Sequence, residues 1–220
     1  QTPEANAHDN FRTHTSIYLN SARINLYLIK GNFKEGLKMV PDILTNLKDY
    51  ALYVDNHRIL VINYKIASLY FGAERFGDAI DFLHKIINDN KAGLRNDLQC
   101  YARLLHLICH YEIGNDAILD SLIRSVYRFM AHMKNLTVVE LEIFSFLRNS
   151  TKTSPKHIQP ALEQLLEKVK LLESNRFETR SFAYLDIISW LESKISKKSL
   201  AEIIHTKYLQ SRQNSKKDKA

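Results

Sequence analysis

The stretch Tyr64–Ile87, YKIASLYFGAERFGDAIDFLHKII, sets the tightest limit on how this chain can fold. Ile66, Leu69 and Tyr70, then Phe76, Ala79, Ile80, Leu83, Ile86 and Ile87, recur at steps of three and four. That spacing stacks them on one face of each of two helices. Gly72-Ala73-Glu74 lies between, and Gly72 is expected to end the first helix, because glycine accepts the left-handed conformation common just past a helix C-terminus. Ala67 and Ala79 are small enough for the two backbones to approach closely.

The pattern recurs along the chain. A shift of 43 residues towards the N-terminus lays Asn20 on Asn63, Leu26 on Leu69, Tyr27 on Tyr70, Phe33 on Phe76 and Leu37 on Ile80. A shift of about 40 the other way lays Gly114 on Glu74, and Leu122, Ile123 and Val126 on Phe82, Leu83 and Ile86. Internal repetition at such a period is the signature of a helical solenoid, in which each hairpin buries its apolar face on the next.

Ile66-Ala67, Tyr70, Phe76, Ala79-Ile80 and Lys85 resemble the tetratricopeptide-repeat pattern, with small and aromatic residues in the first helix and aromatic-x-x-Ala opening the second. The resemblance covers about Thr13 to Met133. It implies an all-α fold: a right-handed superhelix of about ten antiparallel helices with no sheet. It also implies a non-catalytic protein–protein or peptide interaction scaffold, with a groove lined by the first helix of each hairpin. An ordinary helical hairpin is the plainer reading of the same residues.

Composition agrees with a folded helical chain. Of 220 residues, 45% are hydrophobic and only six are glycine and four proline, too apolar for disorder. No apolar run reaches the roughly 20 residues that span a bilayer. Cys100 and Cys109 fall in one expected helix, about 13 Å apart at 1.5 Å per residue, beyond disulfide reach. They read as reduced core residues, which favours a cytoplasmic location. The chain begins at Gln1 rather than methionine, and the expectation is a piece of a larger bacterial protein.

Residues 1–12 are expected to form a flexible leader, 13–150 the repeated hairpins, 151–210 capping helices of the same domain, and 211–220 a disordered basic tail. Within the hairpins, helices are expected over Thr13–Lys30, Asn32–Lys48, Tyr53–Phe71, Arg75–Asn88, Asn96–Ile113 and Asp116–Met133. Asn32 with Glu35, Thr137 with Glu140 and Ser199 with Glu202 have capping-box spacing. Pro155 and Pro160 bracket the start of a helix, and a further one is expected over Phe177–Lys194. Between Lys194 and Ala220, eight Lys and Arg stand against Glu202 and Asp218, so the tail holds six of the seven net positive charges. The body of the chain is nearly neutral.

Gln99, Arg103, His106 and His110 form the most suggestive polar set, because steps of four, three and four place them along one stripe of an otherwise apolar helix. By the resemblance, this stripe faces the groove and holds an acidic or polar peptide. Asn20 and Asn63 fall at places corresponding to Arg103 in the earlier hairpins and join the candidate partner-binding set. An inter-helix hydrogen-bonding stripe is the competing reading. His106 and His110, four apart, also have the spacing of a shared zinc ion, which makes a metal-dependent hydrolase the alternative function. Their sequence, His-Leu-Ile-Cys-His, lacks the glutamate of a His-Glu-x-x-His metalloprotease. No cofactor motif is present: there is no phosphate-binding glycine loop, no paired-cysteine zinc pattern and no Gly-x-Ser-x-Gly. The basic tail supports one more alternative, sequence-independent nucleic-acid contact through phosphate charge.

Overall fold

The chain turns at residues with left-handed backbone. In the computed structural model, which describes residues 3–49, 54–89, 95–175, 182 and 184–217, Gly31, Glu74 and Gly114 have φ of 68°, 61° and 71°. At each, the next residue donates its N–H back to the carbonyl five positions earlier. These bonds run from Asn32 to Tyr27 at 3.0 Å, Arg75 to Tyr70 at 2.9 Å and Asn115 to His110 at 3.0 Å. The left-handed residue itself bonds three positions back in every case. This paired closure satisfies carbonyls that the helix end leaves without partners. These three turns stand 43 and 40 residues apart, the offsets at which the sequence repeats, while a closure of the same form at Lys134, φ 51°, with Asn135 bonded to Met130 at 3.0 Å, falls outside that spacing.

Every regular element among the described residues is a helix. They are α1 (Pro3–Lys30), α2 (Phe33–Leu37), α3 (Val40–Asp49), α4 (Asn56–Gly72), α5 (Phe76–Ile87), α6 (Asn96–Glu112), α7 (Asp116–His132), α8 (Val138–Ser150), α9 (Pro155–Leu172), α10 (Ile187–Ser196) and α11 (Leu200–Lys217). From α4 onward each helix packs on the next, α1 and α2 pack on α4, and α4 also reaches α6. One apolar core runs through these contacts, with Ile66, Leu69, Leu83, Tyr101, Leu105 and Trp190 almost wholly buried. The C-terminal helix α11 returns to α1. A Cβ on Gly31 would lie 2.6 Å from the Ala201 carbonyl oxygen, so this turn admits only glycine against α11. His205 Nδ1 donates to the Lys30 carbonyl, 2.9 Å, closing the end of α1.

Several boundaries differ from expectation, each for a local reason. The first helix starts at Pro3 rather than Thr13, since proline suits a first helical turn. The expected helix over Asn32–Lys48 is two, because Pro41, which has no N–H to continue a helix, sits in the first turn of α3. Glu35 does not cap Asn32; its carboxylate takes the Lys38 ammonium at 2.9 Å. Gly72 is the last residue of α4, and the left-handed conformation falls on Glu74. Glycine is required at 72 for space: an added Cβ would stand 2.4 Å from the Phe33 ring. The Thr137–Glu140 and Ser199–Glu202 boxes form. Pro160 lies inside α9, giving up one backbone bond, and α11 runs on to Lys217, into the expected tail. The expected turn near Asn90–Gly93, the start of the helix expected from Phe177 and residues 218–220 lie outside the described residues.

The equivalent turns make opposite substitutions informative. A left-handed non-glycine residue costs about 1 kcal/mol relative to glycine. Glu74→Gly is expected to stabilise the protein by about that amount and Gly114→Ala, whose Cβ meets nothing, to destabilise it similarly. Urea unfolding measures both, and shifts of the same sign would mean that the two turns are not equivalent.

Candidate functional site

Helix α6 carries four of the six candidate residues, and its surroundings decide what they do. The last carbonyls of α5 lack donors inside the helix, and just past its end Asn88 donates to His84 and Asp89 to Ile86. Gln99, buried, donates Nε2–H to the Ile86 carbonyl at 2.6 Å, and Arg103 donates to the Ile87 carbonyl at 3.2 Å. Arg103 also donates to the Gln99 side-chain oxygen and lies 3.8 Å from the centroid of Phe129 on α7. A guanidinium at a helix C-terminus meets the negative end of the helix dipole. Gln99 and Arg103 thus close α5 and tie it to α6 and α7. The inter-helix reading describes both residues, rather than an open groove.

His106 and His110 continue the stripe. His106 Nε2 lies 3.0 Å from His84 Nε2 of α5 and 3.2 Å from His110 Nε2, and Asn115 Nδ2 is 3.0 Å from His110 Nδ1. The rings form a chain from α5 through α6 to the start of α7. Burial, reinforced by His110, His84 and Arg103, lowers the His106 pKa to about 3, and burial followed by His84 lowers that of His110. Among the described residues no group of three His, Cys, Asp or Glu side chains is arranged to hold a metal ion. Asn20, half-buried on α1, and Asn63, buried on α4, lie on other elements and do not extend this seam. Cys100 and Cys109 are free and fully buried, with burial pushing the Cys100 thiol to about 12 and that of Cys109 up as well. At neutral pH both are thiols, not the thiolates that nucleophilic chemistry needs.

At the other end of α6 a second polar cluster holds the C-terminal part of the chain. Arg95, left-handed at φ 55°, grips Asp97 with two bonds of 2.8 and 3.0 Å and reaches His57 at 3.0 Å. It donates to the Tyr184 hydroxyl at 2.5 Å, and that hydroxyl donates to Asp97. Burial alone would raise the Asp97 carboxyl, but the bonds from Arg95 and Tyr184 bring it down to about 2. The Tyr184 ring stacks on Tyr101 with centroids 4.4 Å apart and meets Tyr64 edge-on, while the Tyr64 hydroxyl donates to the Tyr184 carbonyl at 3.0 Å. Helices α4 and α6, the first helices of their hairpins, are therefore covered here by the chain itself. Sequence reasoning missed Arg95, Asp97 and Tyr184, because nearly 90 residues separate the partners and no periodicity links them.

One cavity that stays open, of about 490 Å³, lies between α1, α4, the Tyr184–Asp186 segment and α11. Leu28, Phe33, Phe71, Leu200 and Ile204 form its apolar walls, and Lys207 and Tyr208 contribute polar tips. The spacing Leu200, Ile204, Tyr208, in steps of four along α11, is the signal from which this wall was readable. Ile29, 62% exposed, lies on the cavity's rim, and Leu26 three residues earlier is 48% exposed. None of the six candidate residues lines this cavity.

Arg103→Ala leaves the Ile87 carbonyl without its charged donor, and is expected to cost about 1.5–3 kcal/mol of stability in urea unfolding. Arg103→Lys keeps the charge but not the forked geometry and is expected to recover only part of the loss. An unchanged unfolding midpoint for Arg103→Ala would place the side chain in solvent.

Compared with known protein families, curated proteins and solved structures, the chain matches none.

Proposed function

We propose that this chain is a non-catalytic interaction module, a tetratricopeptide-like solenoid, that takes an apolar anchor of a protein or peptide partner into the cavity between α1, α4 and α11. The carrying observation is the cavity itself. Its volume of about 490 Å³ falls within the roughly 300–1,000 Å³ of typical ligand sites. Its walls are apolar, and burying one Leu- or Phe-sized side chain there contributes about 1.5–3 kcal/mol.

Two further observations support the reading. The three equivalent turns at Gly31, Glu74 and Gly114 accord with a stack of like hairpins. Leu26 and Ile29 share one face of α1 and continue the apolar surface beyond the cavity's mouth. A small molecule confined to the cavity would leave Leu26 bare, whereas a peptide or helix with one anchor inside covers Leu26 together with Ile29. The metal-dependent hydrolase alternative finds no metal-holding trio among the described residues, and the thiols of α6 are buried.

Peptide display against the protein, followed by NMR shift mapping, tests the proposal. Selected peptides are expected to carry large apolar residues and to shift resonances of Leu28, Phe33, Phe71, Leu200 and Ile204. Ile29→Glu, at an exposed rim position, is expected to weaken those peptides about tenfold, or 1.4 kcal/mol, with little change in Tm. Shifts that map elsewhere, or affinity indifferent to Ile29→Glu, would overturn it.

A further inference from the structure

We propose that the His84–His106–His110 chain is an acid-sensitive fastener of the α5–α6–α7 seam, closed while its rings are neutral and released when they take up protons. The geometry is that of a proton-poor cluster. His106 Nε2 faces the Nε2 atoms of both other rings, at 3.0 and 3.2 Å. Such a contact holds only if one nitrogen of each pair carries a hydrogen and the other accepts it. In an imidazolium both ring nitrogens carry hydrogen. Two neighbouring imidazolium rings would set N–H against N–H at hydrogen-bonding distance and add charge repulsion.

No anionic group is among those that act on His106 or His110. The charged groups that act on His106 are His110 and Arg103 from its own helix and His84 from α5, all cationic when charged. The Asn115 amide just before α7 stands next to His110, and the Phe129 ring of α7 lies beneath Arg103; α4 and α10, which also meet α6, contribute no charged group to this set. Of the nearby carboxylates, Glu112 bonds to Trp190 and Lys194 and Asp89 to Asn56, while Asp116 at the start of α7 and Asp81, one turn before His84 on α5, are not among the groups that act on His106 or His110. His84 is exposed, so protons reach the chain from the edge of the seam, while His106 is buried behind it.

The sign of the effect follows from the direction of the shifts. The folded-state pKa values of His106 and His110 lie below the ordinary 6.5, so the unfolded or opened state binds more protons at acid pH. The fastener is fully closed above about pH 6.5 and weakens as pH falls from there towards the folded value. At pH 5.5, one unit below 6.5, a single such histidine raises the opening constant about tenfold.

Amide hydrogen exchange of the full chain at pH 7.5 and 5.5, corrected for intrinsic rates, tests the fastener. The opening constant of the seam amides on α5 and α6 is expected to rise at least about tenfold in the wild type on acidification. In His106→Leu, which fills the space without titrating, the rise is expected to vanish. His84→Gln/His110→Gln, at exposed and half-buried positions, is expected to reduce it, and serves if His106→Leu does not fold. Equal pH dependence in wild type and variants would overturn the proposal. So would zinc or nickel ions that protect the wild-type seam at pH 7.5 and not that of the variants, because the chain would then be a metal site.

Discussion

The architecture depends most on one buried carboxylate. Glu112 ends α6 with its side chain only 5% exposed, accepting from Trp190 Nε1 at 2.5 Å and from the Lys194 ammonium at 2.6 Å. A carboxylate withdrawn from water this far is tolerable only with charged and hydrogen-bonding partners in place. Both partners lie on α10, some 80 residues away. Together with the Arg95–Asp97–Tyr184 cluster at the other end of α6, this contact fixes the C-terminal part of the chain on the hairpins. Helix α11 then falls against α1, and the cavity forms where α1, α4 and α11 meet without filling the space.

The polar side chains of α6 have a second task along the same helix. Gln99 and Arg103 satisfy the open end of α5, and the histidine chain extends that seam to the start of α7. A stripe of polar residues on a buried helix needs partners wherever it points. Here the partners are backbone carbonyls and other imidazoles of the neighbouring helices. The proposed partner surface lies instead on α1, α4 and α11, where the walls are apolar.

Local features of the fold were legible in the sequence, and long-range ones were not. The hairpin periodicity placed α4 and α5, and the offsets of 43 and 40 coincide with the left-handed turns. The capping boxes at Thr137 and Ser199 depend on residues three apart and formed; the one at Asn32 did not, and Glu35 instead pairs with Lys38 just past the end of α2. The stripe Gln99–His110 was visible as a helical face, but periodicity says only that residues share a side, not what stands opposite. His84 completes the histidine chain from a different helix, and Tyr184 and Trp190 meet α6 from far along the chain. Those juxtapositions belong to tertiary packing, which one-dimensional spacing does not encode. The candidate residues Asn20 and Asn63 stand on α1 and α4, the first helices of the earlier hairpins, as their alignment with Arg103 has them.

The most direct measurement is a double-mutant cycle between α6 and α10. Glu112→Gln removes the charge and Trp190→Phe removes the indole N–H while keeping an aromatic ring in the core. If the C-terminal segment is fastened on α6 through this contact, urea unfolding of the two single variants and the double variant yields a coupling energy of about 1.5–3 kcal/mol, the scale of a hydrogen bond to a charged group. Additive effects, with a coupling near zero, would contradict the account, because Trp190 and Glu112 would then not meet in the folded protein.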